Sequence, residues 1–169
     1  MNDTAAHDLN RLRAGERPPS QSAAWRAAIT QALLADLRPG DHGLAVWLLE
    51  QESAALAHAG AGDPETLYRL VAAMARFARP ADALRIWRAG RATPETRIGV
   101  DVEQALRAGP ETTVQALRRL SARNDSQAED AAAALAWIAM GIAEGAANDL
   151  PAYFAWSDER FGLHVSGPT

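Results

Sequence analysis

Residues 63–97 read DPETLYRLVAAMARFARPADALRIWRAGRATPETR and contain the clearest structural signals of the chain. Asp63 and Thr93 each stand before a Pro-Glu pair, and a capping oxygen followed by proline and an acid is typical of a helix start. After the first start, apolar side chains recur at helical spacing along one face: Leu67, Leu70, Val71, Met74 and Phe77. Pro80 begins a second, shorter helix. The stretch therefore predicts two antiparallel helices joined by a short turn.

The same 3.6-residue period extends to both sides of this stretch, and no sustained alternation of β-branched or aromatic residues indicates a strand. Pro, Gly, Asp, Ser and Thr mark the joints between helices. Gly99 is expected to interrupt the helix that begins at Pro94. The sequence predicts an all-α fold of about eight or nine helices. It divides into a weakly ordered N-terminal segment with a short helix (1–19), one helical-hairpin domain (20–163) and a flexible tail (164–169).

A repeat of thirty residues relates two parts of this region. Pro64-Glu65-Thr66 matches Pro94-Glu95-Thr96, and Pro80 matches Pro110 at the same offset. Two helices per thirty residues with short joints describe an antiparallel hairpin. Stacked hairpins bury a continuous core that no single hairpin could bury alone.

The second helix of the first unit resembles the second helix of a tetratricopeptide repeat, through Ala83-Leu84, Trp87, Gly90 and Pro94. The resemblance covers about residues 63–124. It departs from the family at Val71 and Met74, which stand where Gly and Tyr are usual, and its period is thirty rather than thirty-four. The resemblance implies a short right-handed superhelix whose first helices line the concave side. A compact bundle is the alternative.

Composition excludes several kinds of chemistry. The chain has no Cys, and all seventeen basic residues are Arg, so disulfides, thiolate ligands and a Schiff-base lysine are excluded. The four His residues lack metal-binding spacing, and there is no Gly-rich phosphate loop. We therefore predict no catalytic residue, metal site or cofactor. Glu50 follows an apolar run and would be a functional candidate if buried, although a position on the polar edge of its helix is the favoured interpretation.

Charge and hydropathy favour a cytoplasmic protein. A net charge of −4 argues against a general nucleic-acid binder. The longest uncharged helical stretch, residues 131–143, is shorter than the roughly 20 residues that cross a bilayer. The first residues carry no apolar run typical of a signal peptide. Neither nucleic acid nor membrane is an expected partner.

The charges are unevenly distributed along the chain. Residues 39–66 contain five acids and no Arg, whereas residues 67–97 contain seven Arg and two acids. The arginine cluster from Arg69 to Arg97 is either a patch that receives an acidic segment or a solvated face. Of the five Trp residues, Trp137 and Trp156 lie off the expected core face, where large aromatic side chains can anchor an interface.

The leading hypothesis is a non-enzymatic protein–protein interaction module that binds a protein partner or a second copy of itself. Its predicted contact residues are Tyr68, Arg69, Arg76, Glu95, Trp137 and Trp156. One alternative is a toxin-neutralising immunity-type protein that uses the acidic stretch 39–66. The other is a small-ligand binder or enzyme with an interhelical pocket.

Overall fold

In the computed structural model, residues 3–18 and 22–163 are described, and every regular element in those ranges is helical. The ten α-helices are α1 Asp3–Arg13, α2 Ala23–Ala35, α3 His42–Ala59, α4 Pro64–Arg76, α5 Asp82–Ala89, α6 Pro94–Gly99, α7 Val102–Ala105, α8 Pro110–Ser121, α9 Ala128–Ala143 and α10 Leu150–Phe161, and a 3-10 turn spans Pro39–Asp41. The all-α prediction is confirmed.

The described residues form ten α-helices, one more than the upper predicted count of nine, and the expected interruption of the helix that begins at Pro94 separates α6 from α7. Val100 adopts an extended conformation after Gly99, and α7 begins after Asp101. The predicted N-terminal segment 1–19 contains α1, while its residues 1, 2 and 19 and the predicted tail 164–169 lie outside the described residues.

The helix starts form as local chemistry dictates. The carboxylate of Asp63 accepts the backbone N–H of Thr66 at 3.1 Å, and the hydroxyl of Thr93 accepts the N–H of Thr96 at 3.1 Å. A third Pro-Glu-Thr sequence, beginning at Pro110, starts α8. Proline at the first helical position loses no hydrogen bond, since that N–H has no partner within the helix. These three local sequences determine where α4, α6 and α8 begin.

Helix α4 lies at the centre of the fold. It packs against α2, α3, α5, α6, α7 and α10, and its residues from Leu70 to Ala75 are all buried. The buried core continues through large side chains of neighbouring helices: Leu33, Leu48, Ile86, Leu106, Leu117 and Ile138. One core therefore joins α1 to α9.

Three pairs of consecutive helices form close contacts: α1 with α2, α3 with α4, and α8 with α9. Helix α4 also packs against α6 and α7, so the segments that start at Pro64 and Pro94 lie side by side. Helix α8 packs mainly against α9 and also against α5. The superhelical stacking implied by the tetratricopeptide resemblance stays a prediction. Within the described ranges, no helix combines the length and the apolar character needed to cross a bilayer.

Buried charges tie distant helices together. Glu52 of α3 is fully buried and accepts a hydrogen bond from Arg26 Nε of α2 at 2.5 Å. Its other oxygen accepts the backbone N–H of Asp63, and Arg26 donates to the carbonyl of Ala61 at 3.2 Å. A Cβ on Gly62 would collide with the Glu52 carboxylate, so this loop needs glycine there. The ion pair fixes α2, α3 and the start of α4 relative to one another.

Helix α10 is held by polar contacts with the body of the fold. Asp158 accepts hydrogen bonds from Arg76 of α4 and Arg107, at 2.7 to 2.8 Å. Tyr153 donates its hydroxyl to Asp101 at 2.8 Å. Burial raises the pKa of Tyr153, and the neighbouring Asp101 raises it further. These contacts make α10 part of the domain that presents the surfaces described below.

Candidate functional site

Helix α9 carries no charged side chain between Ala131 and Ala143, yet only one side of it is covered. Its inner side is buried against α5, α7 and α8 through Ala131, Ala134, Ile138 and Gly141. Its outer side, here called the outer face of α9, is exposed and consists of Ala132, Ala133, Ala136, Ala139, Met140 and Ala143. A helix that is apolar all round is normally buried all round. Six of the thirteen residues from Ala131 to Ala143 therefore lack a covering element among the described residues.

A groove with a volume of about 390 Å³ borders this face, and we call it the aromatic groove. The indole rings of Trp87 and Trp137 contribute to its walls together with Val100 and Met140. Met140 is 56% exposed, a large fraction for an apolar side chain in a folded domain. The groove and the outer face share Ala133 and Met140, so they form one continuous surface.

The rim of the aromatic groove is cationic. Arg91 and Arg97 line it, and no acidic residue does. The Arg91 guanidinium lies 5.0 Å from the centre of the Trp87 ring, a cation–π contact that leaves its N–H groups able to bind an anion. Arg97 is exposed, and no ion pair or hydrogen bond engages its side chain within the part of the chain that the structure describes. The site combines an apolar floor with positive charge.

Two glycines bring the walls of this groove together. A Cβ on Gly90, at the end of α5, would lie 3.2 Å from the Val100 side chain. A Cβ on Gly141 of α9 would lie 2.6 Å from a methyl group of Val102 at the start of α7, closer than real contacts allow. Absence of a side chain at both positions lets α5 and α9 approach the joint between α6 and α7. The groove is the space left between these three elements.

The six predicted contact residues do not form a single surface. Tyr68 and Glu95 lie together, because the Tyr68 hydroxyl donates to the Glu95 carbonyl at 3.3 Å. Burial and the nearby Glu95 and Glu65 raise the pKa of Tyr68. Arg69 lies on the same helix as Tyr68 and pairs with Glu65 at 3.1 Å.

The other three predicted contact residues lie elsewhere. Arg76 is engaged by Asp158 at 2.7 Å. Trp156, on α10, is 48% exposed and lies beneath the guanidinium of Arg160. Trp137 alone of the six lines the aromatic groove. Sequence reasoning did not single out Met140 or the outer face of α9, although the uncharged stretch 131–143 was the signal for both.

The predicted arginine cluster is divided by internal pairing. Four of its seven arginines have acidic partners, in the pairs Arg69–Glu65, Arg76–Asp158, Arg85–Asp82 and Arg88–Asp130. Arg91 and Arg97 converge on the aromatic groove. The cluster is therefore neither one continuous patch nor a uniformly solvated face.

The ionisable side chains of the described residues include His42 and Glu50. No three His, Asp or Glu side chains in this part of the chain are close enough to share a metal ion. His42 Nε2 lies 2.7 Å from the Asp82 carboxylate, and the His42 ring packs edge-on against Phe77 with 5.2 Å between the ring centres. Both contacts hold α3 against neighbouring parts of the fold. Glu50 is exposed.

The comparisons with known proteins leave the chemistry of these surfaces as the guide to function. No protein-family model, no curated protein and no solved structure matches the chain.

Proposed function

We propose that the chain is a non-enzymatic protein–protein interaction module that holds an acidic amphipathic helix of a partner protein against the outer face of α9. One observation carries the proposal: α9 is apolar on all sides over residues 131–143, and six of these thirteen residues are exposed next to the aromatic groove. An exposed apolar surface of this kind marks an interaction site in many soluble proteins.

The chemistry of the surface indicates what kind of segment it holds. Alanine side chains let a second helix approach closely, toward the short end of the usual 8 to 10 Å between helix axes. Trp137 and Met140 provide large apolar contact area, and Trp is enriched among residues that dominate binding energies. Arg91 and Arg97 favour a partner with Asp or Glu beside its apolar side chains. The binding mode is a helix in a groove.

The immunity-type alternative receives less support from the distribution of acids. Of the five acids in residues 39–66, Glu52 is buried against Arg26 and Asp41 is buried against Arg13. Asp63 caps α4, and Glu65 pairs with Arg69. Because most of these carboxylates have internal partners, the stretch presents a weaker acidic surface than its sequence suggests.

The proposal is tested by selecting binding peptides from a random peptide library displayed on phage, using the full chain as bait. We expect enriched sequences that alternate Asp or Glu with large apolar residues at helical spacing. Their binding is then measured with two variants, Ala136→Glu and Arg97→Glu, each of which adds negative charge to the surface at an exposed position. Both are expected to weaken binding about ten-fold or more.

The matched control is Arg119→Glu, which reverses a charge at an exposed position of α8 outside the aromatic groove. It should leave affinity within about two-fold. Enrichment of no peptide, or equal weakening by all three variants, would contradict the proposal. A homodimer in light scattering that Ala136→Glu converts to monomer would assign the face to a second copy of the chain instead.

A further inference from the structure

A second and larger groove lies on another side of α5, with a volume of about 540 Å³. It is bounded by the middle of α3, by α5, and by the end of α8 with the joint that follows it. We call it the arginine groove, because three guanidinium groups surround it: Arg85, Arg88 and Arg123. Its apolar lining includes Leu49, Leu84 and Leu120. Pockets of this volume and mixed character are typical of small-ligand sites.

The internal contacts of these arginines leave N–H groups free for a ligand. Arg85 uses Nη1 for Asp82, at 3.0 Å, and Asp82 is buried. Arg88 uses Nε for Asp130, at 2.8 Å. Each guanidinium has five N–H donors, so several stay available on both. Arg123 is exposed, and its guanidinium has no ion pair or hydrogen bond with any other described residue.

One carboxylate opposes this positive charge within the groove. Glu50 lines it and is exposed, and it makes no ion pair with the three arginines among the described residues. The lining itself holds three guanidinium groups and one carboxylate over an apolar floor. Asp82 and Asp130 balance Arg85 and Arg88 from outside the lining, so the uncompensated positive charge is that of Arg123. That combination suits a ligand with an anionic group at one end and an apolar body at the other.

We propose that the arginine groove binds a small organic carboxylate, with its carboxylate among the three guanidinium groups and its apolar body against the leucines. Arginine binds carboxylates through paired, charge-assisted hydrogen bonds, which is why Arg123 and its two neighbours determine the affinity. Glu50 repels the bound anion and reduces that affinity. This site is separate from the outer face of α9, so either proposal can fail without the other.

The test uses octanoate as the probe and octan-1-ol as its uncharged counterpart. Binding is followed by NMR through the Nε–H signals of the arginines and the methyl signals of the leucines. We expect saturable shifts of the Arg123 and Leu120 signals with octanoate, and binding about ten-fold weaker or more for the alcohol. Arg123→Gln should weaken octanoate binding by about ten-fold. Glu50→Gln should tighten it by about three-fold, which is the opposite sign.

The control variant is Arg119→Gln, which removes the same charge four residues earlier, on α8 and outside the groove, and should leave affinity unchanged. Arg123 is exposed and without an internal partner, so its substitution is not expected to disturb folding. Three results would overturn the proposal: no saturable shift at millimolar octanoate, shifts confined to the indole signals of Trp87 and Trp137, or equal effects of the two arginine variants. Inorganic phosphate that binds as tightly as octanoate would overturn the assignment to an organic ligand.

Discussion

Replacing Glu52 with Gln should destabilise the fold by about 4 kcal/mol, although the two side chains have nearly the same shape. Glu52 is fully buried, and its carboxylate accepts from Arg26 at 2.5 Å and from the backbone N–H of Asp63. A glutamine keeps one carbonyl oxygen and can still accept the Asp63 hydrogen bond. It carries no charge, so the guanidinium of Arg26, which is itself buried, loses its counter-ion.

The expected magnitude follows from two independent estimates. Two unit charges about 4 Å apart interact by about 4 kcal/mol at the effective dielectric constant that suits protein sites. Removing one partner of a buried ion pair typically costs about 3 to 5 kcal/mol. For a domain of this length, 4 kcal/mol lowers the melting temperature by about 8 to 16 °C. Such a loss is a large part of the total stability of a typical domain.

The prediction becomes specific to the ion pair when a double variant is included. Arg26→Met together with Glu52→Gln removes both charges and keeps an acceptor for the Asp63 N–H. It also deprives the Ala61 carbonyl of its Arg26 donor, at an exposed position where solvent can hydrate that carbonyl. We expect the double variant to lose about 1 to 2 kcal/mol, less than Glu52→Gln alone.

Unfolding by urea, followed through the fluorescence of the tryptophans, measures all of these variants. Glu50→Gln is the matched control: it removes a carboxylate two residues earlier on the same helix, at an exposed position, and should change stability by less than about 0.5 kcal/mol. Arg26→Met alone completes the set. If the double variant lost as much stability as Arg26→Met and Glu52→Gln lose together when measured singly, Arg26 and Glu52 would contribute independently. The reasoning from an uncompensated buried charge would then be refuted.

Three further substitutions test how α9 and α10 are held. Gly141→Ala should destabilise the domain by about 1 kcal/mol in urea unfolding, because overlap with Val102, 2.6 Å from the new Cβ, outweighs the gain in helix propensity; a stabilised variant would contradict this. Above pH about 10, tyrosine ionises in the unfolded chain, whereas the raised pKa of Tyr153 keeps it protonated beside Asp101 in the folded protein. The free energy of unfolding should therefore fall by about 1 kcal/mol per pH unit, less than the full one-proton slope because the ring is partly solvated. Tyr153→Phe should remove that part of the pH dependence in urea titrations at each pH. Asp158→Ala should lower the free energy of unfolding by about 2 kcal/mol and speed amide hydrogen exchange in α10 more than in α4. An equal increase in exchange in both helices would show that α10 does not open separately.

The helix class and many boundaries were predictable because their signals are local. The caps at Asp63 and Thr93 are hydrogen bonds to residues only two or three positions along the chain. The proline at the first helical position is an equally local signal. The break after Gly99 was also predicted, because a glycine inside a helical pattern is a local signal. Helix formation depends on such short-range terms, so a single sequence contains the information needed to place most helices.

Helix pairing and the ion-pair network were not predictable in the same way. The pairs Arg26–Glu52 and Arg76–Asp158 join residues 26 and 82 positions apart. Any exposed arginine and any acid could form such a pair, so charge alone does not select partners. The division of the arginine cluster among internal acids, the aromatic groove and the arginine groove depends on these distant contacts. Of the predicted contact residues, Trp137 is the one that lines either groove.

The outer face of α9 could not be predicted from the sequence, because alanine does not indicate which side of a helix is covered. Alanine is both the best helix former and a small apolar residue, so a run of alanines predicts a helix without saying which side is covered. Alanine makes up about a quarter of the chain, and composition alone could produce alanine at exposed positions. Helix α8, which packs beside α9, provides the internal comparison. Its exposed positions are Glu111, Thr112, Gln115, Arg118 and Arg119, all polar, whereas the exposed positions of α9 from Ala132 to Ala143 are all apolar. Two neighbouring helices of one chain share the same compositional bias, so that bias does not explain the difference between them. Our proposal that a partner helix covers the outer face of α9 accounts for the difference.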